Sequence, residues 1–256
     1  MAETTGISWC EATHNEWKGC QETGSPACVG CYARELISVR WKQVEWGPKA
    51  ERKMTSDANL LKPLHWNKRP LSLKAPEGTK PFIFGGSLMD FADNKAPAGA
   101  QEHLFGTIWA TPNLQWLMLT KRIGNVVELA ERVGGWPPNA ALMVTAVTQQ
   151  EWDRDVAALI RVATQLKPTF IGVSMEPLYE HVDVSALIKY LNWVIVGGGT
   201  DQGKFRAYDS DPDWFRDVQR KCAAFDVAFH MKQMTRKAPV PPDLRVQERP
   251  YIPVAA

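Results

Sequence analysis

The feature that most constrains this chain is a repeated order of elements. Seven short runs of β-type residues recur along it, at 6–9, 81–84, 114–119, 141–146, 169–173, 193–196 and 227–231. Several are almost wholly apolar, as in strands covered on both faces. Between them lie stretches with helical periodicity. Residues 31–46 set Leu36, Ile37, Val39 and Val44 among charges, and 151–166 repeat apolar positions at Val156, Leu159, Ile160, Val162 and Ala163. Residues 213–225 place Phe215, Val218, Cys222 and Phe225 at helical spacing behind an Asp211-Pro212-Asp213 cap signal. Strands that alternate with helices pair in parallel, because each return needs a crossover. The expectation is an α/β fold, a partial parallel (β/α) barrel of about six or seven strands. It spans 1–238, and 239–256, with Pro241, Pro242, Pro250 and Pro253, forms an extended C-terminal tail.

The 256 residues are 45% hydrophobic and 23% charged, which excludes disordered and fibrous classes. No apolar stretch approaches the roughly 18 residues of a membrane span. Residues 1–5 carry neither the basic residues nor the apolar core of a secretory signal. A cytoplasmic protein without membrane contact is expected, in the host cytoplasm if a phage encodes it. Net charge is only +2, but residues 40–80 hold ten basic and four acidic side chains, while 128–180 hold four and seven. The basic stretch also carries Trp41, Trp46 and Trp66. Cations interleaved with aromatics suit phosphates and bases, so Lys42, Lys53, Lys68, Arg69 and Trp66 are candidate nucleic-acid contacts. The plain alternative is a solvated surface with its tryptophans in the core.

The segments after the β-type runs are rich in chemistry: Gly85-Gly86-Ser87-Leu88-Met89-Asp90, Thr120-Lys121-Arg122, Thr145, Ser174-Met175-Glu176-Pro177, Gly197-Gly198-Gly199 and Lys232-Gln233. In a barrel these strand ends meet on one face, where active sites sit. The cysteines narrow the chemistry. Cys20, Cys28 and Cys31 form C-x7-C-x2-C in a loop with Gly24, Ser25, Pro26 and Gly30, whereas Cys222 lies on an apolar helix face. An odd count of five argues against a disulfide framework. Three thiolates suit a [4Fe–4S] cluster with one iron left open for S-adenosylmethionine. They also suit zinc completed by Cys10 or His14, or a redox CxxC with spare thiols. A chain of this size does not need a metal in order to fold, so a chemical role is expected of any metal here.

Taken together, these blocks resemble the phage-associated three-cysteine-motif family of divergent radical S-adenosylmethionine enzymes. The resemblance is carried by Gly6-Ile7-Ser8-Trp9 with Asn15 and Gly19-Cys20, by Cys28-Val29-Gly30-Cys31-Tyr32-Ala33 and by Ser87-Leu88-Met89-Asp90-Phe91. It continues through Leu119-Thr120-Lys121-Arg122, Val173-Ser174-Met175-Glu176-Pro177-Leu178, Trp193-Val194-Ile195-Val196-Gly197-Gly198 and Phe229-His230-Met231-Lys232-Gln233. It implies a radical-type partial barrel in which Cys20, Cys28 and Cys31 hold the cluster. An external electron donor such as flavodoxin supplies the electron that cleaves the cofactor to methionine and a 5′-deoxyadenosyl radical. Gly85, Gly86 and Ser87 lie where the methionyl amino group is received, with Asp90 or Asp93 as the acidic partner that Ser87 does not provide. Lys121, Thr145 and Glu176 match carboxylate and ribose contacts, Gly197, Gly198 and Gly199 admit the adenine, and Lys232 with Glu176 is the candidate catalytic pair. One departure is that Gly30 stands where most of the superfamily has an aromatic residue. The implied substrate is phage DNA whose thymines carry an amino-acid adduct, rearranged by an isomerase. The rival reading is a zinc-containing nucleic-acid-binding protein without radical chemistry.

Overall fold

Six of the seven expected runs become strands, each displaced by no more than two residues, and the first does not. The computed structural model describes residues 5–254. In chain order its strands are β1 (Ala12–His14), β2 (Trp17–Lys18), β3 (Lys53–Met54), β4 (Phe82–Gly85), β5 (Gln115–Thr120), β6 (Ala140–Thr145), β7 (Ile171–Met175), β8 (Trp193–Gly197) and β9 (Ala228–Gln233). The helices are α1 (Tyr32–Arg34), α2 (Asp57–Leu60), α3 (Lys62–Lys68), α4 (Ala100–Trp109), α5 (Val126–Arg132), α6 (Gln149–Glu151), α7 (Ala157–Leu166) and α8 (Pro212–Ala224). Wider π-type turns extend α1 over Glu35–Arg40 and join α6 to α7 over Trp152–Val156. The helix expected over 31–46 therefore stops at Arg40.

Seven strands form one wholly parallel sheet in the order β1-β4-β5-β6-β7-β8-β9, and β2 with β3 makes a small antiparallel ribbon. Side chains alternate across the sheet. Ile83, Trp116, Met118, Leu142 and Val144 face an outer layer shared with Leu104, Phe105 and Ile108 of α4 and Phe215, Val218 and Cys222 of α8. Phe82, Phe84, Leu117, Ala141 and Met143 face an inner core. With both faces covered, the strands read as continuous apolar runs. Helix α8 starts where its cap signal says: the Asp211 carboxylate accepts from the Asp213 N–H at 2.9 Å, and Pro212 takes the first helical position.

The sheet is curled into a half-barrel, and one contact proves it. The rings of Phe82 on β4 and Trp193 on β8 lie 5.7 Å apart, although three strands separate them in the sheet. In a flat sheet four strand spacings amount to about 19 Å. Phe170 fills the remaining space, 5.9 Å from Phe82 and 6.2 Å from Trp193.

The edges β1 and β9 do not pair, and two irregular segments span the gap. The expectation of a first strand at 6–9 is corrected here. Ser8 Oγ meets His230 Nε2 on β9 at 2.8 Å, while the Trp9 ring packs 4.7 Å from Phe84 on β4. Residues 7 and 9 are apolar because they plug the barrel, not because they pair. At the other end the C-terminal tail lies along β9, Met231 N–H donating to Val246 O at 2.8 Å and Glu248 N–H to Phe229 O at 2.9 Å. It then passes under the barrel, where Arg249 covers the Phe82 ring at 3.9 Å and pairs with Glu11 at 2.7 Å.

His230 joins these closing segments and makes their stability depend on pH. Burial lowers its pKa to about 4, with the Glu248 backbone opposing and Lys232 and Arg249 adding to the effect. An unfolded histidine takes up its proton near pH 6.5, so the native state binds fewer protons between these values. The contribution is complete above about pH 6.5 and is lost as pH falls towards about 4. Urea melts at about pH 7.5 and pH 5 should show the wild type losing about 2 kcal/mol more than His230→Gln; equal losses in the two proteins would refute the assignment.

Candidate active site

The strand ends open into one cavity of about 240 Å³, and most of the residues singled out from the sequence line it. Cys20, Cys28 and Cys31 come from the loop between β2 and α1, and Gly86, Ser87 and Asp90 follow β4. Lys121 and Arg122 follow β5, Thr145 ends β6, Glu176 follows β7, Gly198 follows β8, and Lys232 lies near the end of β9. Gly85 and Gly197 sit one residue further back, inside their strands. The floor is apolar, made of Ile7, Trp9, Phe84 and Leu119, and Trp46, Tyr179, Gln202 and Phe205 complete the walls.

The cysteine loop is held by its own polar contacts and by an aromatic ring from elsewhere. Ser25 Oγ accepts from the Ala27 N–H at 3.3 Å and caps the tight turn Pro26–Cys28. Arg34 reaches back to Glu22 at 2.6 Å and to Val29 O at 2.7 Å. A Cβ on Gly30 would lie 2.3 Å from the Phe205 ring, so only glycine fits beneath that ring. All three thiols are free and partly buried. Among the described residues, no three His, Cys, Asp or Glu side chains converge closely enough to hold a single metal ion. All three line the same cavity.

Neither expected fourth ligand for zinc reaches this loop. Cys10 is packed in the inner barrel core, where burial pushes its thiol far up. His14 Nε2 bonds Glu16 Oε2 at 2.9 Å, and His103 holds the other oxygen of the same buried carboxylate. Neither Cys10 nor His14 lines the cavity.

Two ion pairs organise the polar wall. Asp90 accepts from Thr120 Oγ1 at 2.6 Å, from the N–H groups of Ala92 and Lys121 at 3.0 and 3.1 Å, and from Arg122 at 2.7 Å. Four donors occupy its two oxygens, so its first task is to tie the loops after β4 and β5 together. Burial raises the Cys20 thiol to about 11, with Asp90 adding to this and Arg122 opposing it. Across the cavity, Lys232 Nζ donates to Glu176 Oε2 at 2.9 Å, and Glu176 Oε1 is buried without a hydrogen-bond partner among the described residues. The Lys121 ammonium has no hydrogen-bond partner among the described residues. Asn15 braces the Ser87 turn, donating to Ser87 Oγ at 2.9 Å and accepting from the Leu88 N–H at 2.6 Å.

Gly198 lines the cavity, and a Cβ there would fall 2.2 Å from the Thr235 backbone nitrogen. Its bare Cα lets the loop after β8 pack on the end of β9. Trp66, at 4% exposed, belongs to the outer core and is not available for base stacking. Lys42, Lys53, Lys68 and Arg69 are exposed, on the segment between the cysteine loop and β4. Sequence reasoning gave no site role to Arg122, Trp9 or Phe205. Arg122 stood directly after Lys121 at a strand end and Trp9 closed the first β-type run, whereas Phe205 left no signal.

Residues 4–245 match the model of a family described as a protein of unknown function (DUF5131). No curated protein and no solved structure matches the chain. Among the described residues no helix is long and apolar enough to cross a membrane.

The contact at Gly198 yields a direct test. Gly198→Ala should destabilise the protein by about 2 kcal/mol or more, because backbone on both sides must move. Gly6→Ala, where nothing lies within 4 Å, should leave the urea midpoint nearly unchanged.

Proposed function

The chain belongs to the DUF5131 family of unknown function, and from the cavity its own residues build we propose that it is a radical S-adenosylmethionine enzyme. One observation carries the reading: three free thiols of one loop surround the same cavity at the strand-end mouth of a parallel half-barrel. Cys20, Cys28 and Cys31 would hold a [4Fe–4S] cluster, in which each thiolate binds a different iron and the fourth iron stays open to the cofactor. Phe205 supports the same reading, since its ring covers Gly30 at the position where the resembled superfamily places an aromatic side chain.

A cluster held by these cysteines would, with S-adenosylmethionine bound, supply the radical chemistry needed to remove hydrogen from an unactivated carbon. The chain's own residues bind and orient. Lys121 offers an unpaired ammonium to a carboxylate, and Glu176 Oε1 offers an unpaired acceptor to an amino group or a hydroxyl. Ser87 and Thr145 bring hydroxyl side chains to the lining of the same cavity. Lys232 and Glu176, 2.9 Å apart, form a pair that can hold a proton at Nζ or pass it to the carboxylate. The apolar floor keeps water from a reactive carbon.

The proposed substrate is a thymine of phage DNA that carries an amino-acid adduct, and the proposed reaction is an isomerisation of that adduct in the host cytoplasm. A duplex would present the base by flipping it, and an external flavodoxin-type donor would deliver the electron. Exposed Lys42, Lys53, Lys68 and Arg69 are available to phosphates. Lys42 lies four residues before the cavity residue Trp46.

Anaerobically purified protein should contain about four irons and four sulfides per chain. On reduction it should cleave S-adenosylmethionine to 5′-deoxyadenosine and methionine, and replacing Cys20, Cys28 and Cys31 by Ala should abolish both properties. One zinc without iron would replace this reading by that of a zinc-containing nucleic-acid-binding protein. For the DNA interface, replacing Lys42, Lys53, Lys68 and Arg69 by Ala should weaken duplex binding and flatten the log–log salt slope by about 0.9 for each phosphate no longer neutralised. An unchanged slope would remove those residues from the interface.

A further inference from the structure

Of the three thiols, one is treated differently from the others. Arg122 Nη1 donates to Cys20 Sγ at 3.5 Å and to Asp90 Oδ2 at 2.7 Å, while its Nη2 donates to Gln21 O at 2.9 Å. Cys20 Sγ also lies 3.4 Å from Gln21 O. Cys28 Sγ has only Thr23 Oγ1 at 3.6 Å, and Cys31 Sγ has no hydrogen bond among the described residues. The guanidinium cannot swing away. Its side chain and that of Asp90 are each 9% exposed, and Asp90 is itself fixed by Thr120 Oγ1 and the N–H groups of Ala92 and Lys121. A planar cation locked by three partners therefore stands against one cysteine sulfur, in a wall that water barely reaches.

We infer that Arg122 is a positioning residue for the cluster site: it fixes the Cys20 thiolate and raises the potential at which the site accepts its electron. The inference rests on the radical reading of the cavity. When one electron arrives from a low-potential external donor, no bond is made or broken and the site gains one negative charge. An N–H bond to a ligating sulfur and a fixed cation beside it both favour the more negative state, so reduction becomes easier. Asp90 opposes this in part, since its charge sits 2.7 Å from the guanidinium. The two residues thus act on the potential with opposite signs, although both are needed to hold the loops.

The test is a potentiometric titration of the anaerobic, cluster-loaded full-length protein, followed by the electron paramagnetic resonance of the reduced state. Arg122→Met should move the midpoint to more negative values by a tenfold change in the one-electron equilibrium, about 59 mV. Arg122→Lys keeps a charge for Asp90 and is the safer variant for folding. It should shift in the same direction by less, because an ammonium cannot reproduce the fork that reaches Cys20, Asp90 and Gln21 together. Asp90→Asn should move the midpoint the other way. Arg122 variants with an intact cluster and an unmoved midpoint would overturn the inference alone, as would shifts of one sign in all three proteins, the mark of mere loosening. A wild-type protein that takes up no cluster would overturn the radical reading, and this inference with it.

Discussion

The packing of Phe82, Phe170 and Trp193 inside the sheet is the interaction on which the rest of the structure depends. These three rings come from the beginnings of β4 and β8 and from the segment before β7, and their centroids lie 5.7 to 6.2 Å apart. Three aromatic side chains can meet that closely only if the sheet between them rolls up. Once it rolls, the opposite ends of the strands turn towards a common point. Ser174, Glu176, Lys121 and Lys232 then face one cavity without any direct contact between most of their strands. Removing apolar area from water stabilises the fold, and the same burial sets the geometry of the mouth.

At that mouth, buried ion pairs do what packing does at the base. Arg52 and Asp93 lie 2.9 Å apart with fully buried side chains, and Arg52 also donates to Gly47 O and Ala50 O. Asp90 and Arg122 tie three loops in the same manner. Pairs of this kind add little net stability, but removing one partner is strongly destabilising because the other charge is left buried. Their use is specificity. Loops rich in glycine and proline have many alternative paths, and a charge that must be met at one place excludes most of them.

How far all this could be read in the sequence follows from the same physics. Strands β4 to β9 were legible because burial on both faces leaves a continuous apolar run, and α8 because its cap and its apolar face are local signals. Strand β1 was not, since Ala12–His14 is three residues long and ends on His14, and its neighbour Trp9 mimics a strand while filling the barrel. In the site, the cysteines and the strand-end polar residues stood out by type and position. Gly30 and Gly198 did not reveal their roles, because the groups that need them to be small, Phe205 and Thr235, lie far along the chain. Charge was the least legible of all. Arg52 counts among the basic residues of 40–80, yet it is buried against Asp93 and offers nothing to a phosphate.

The unsatisfied polar atoms carry the argument one step further. A buried donor or acceptor without a partner costs roughly 1–3 kcal/mol, and a folded chain retains few of them. Among those in this structure, Trp9 Nε1, Gln21 Oε1 and Glu176 Oε1 belong to residues that line the cavity. Two of them belong to residues whose other polar atoms are bonded: Arg122 holds the Gln21 carbonyl, and Lys232 holds the other Glu176 oxygen. A sequence selected only for stability would pair these atoms or replace them with apolar groups. Local violations of this kind are expected where a protein gives up stability for function. Eight other such atoms lie elsewhere among the described residues, but these three share one cavity, where a bound group can supply the partners that folding leaves out.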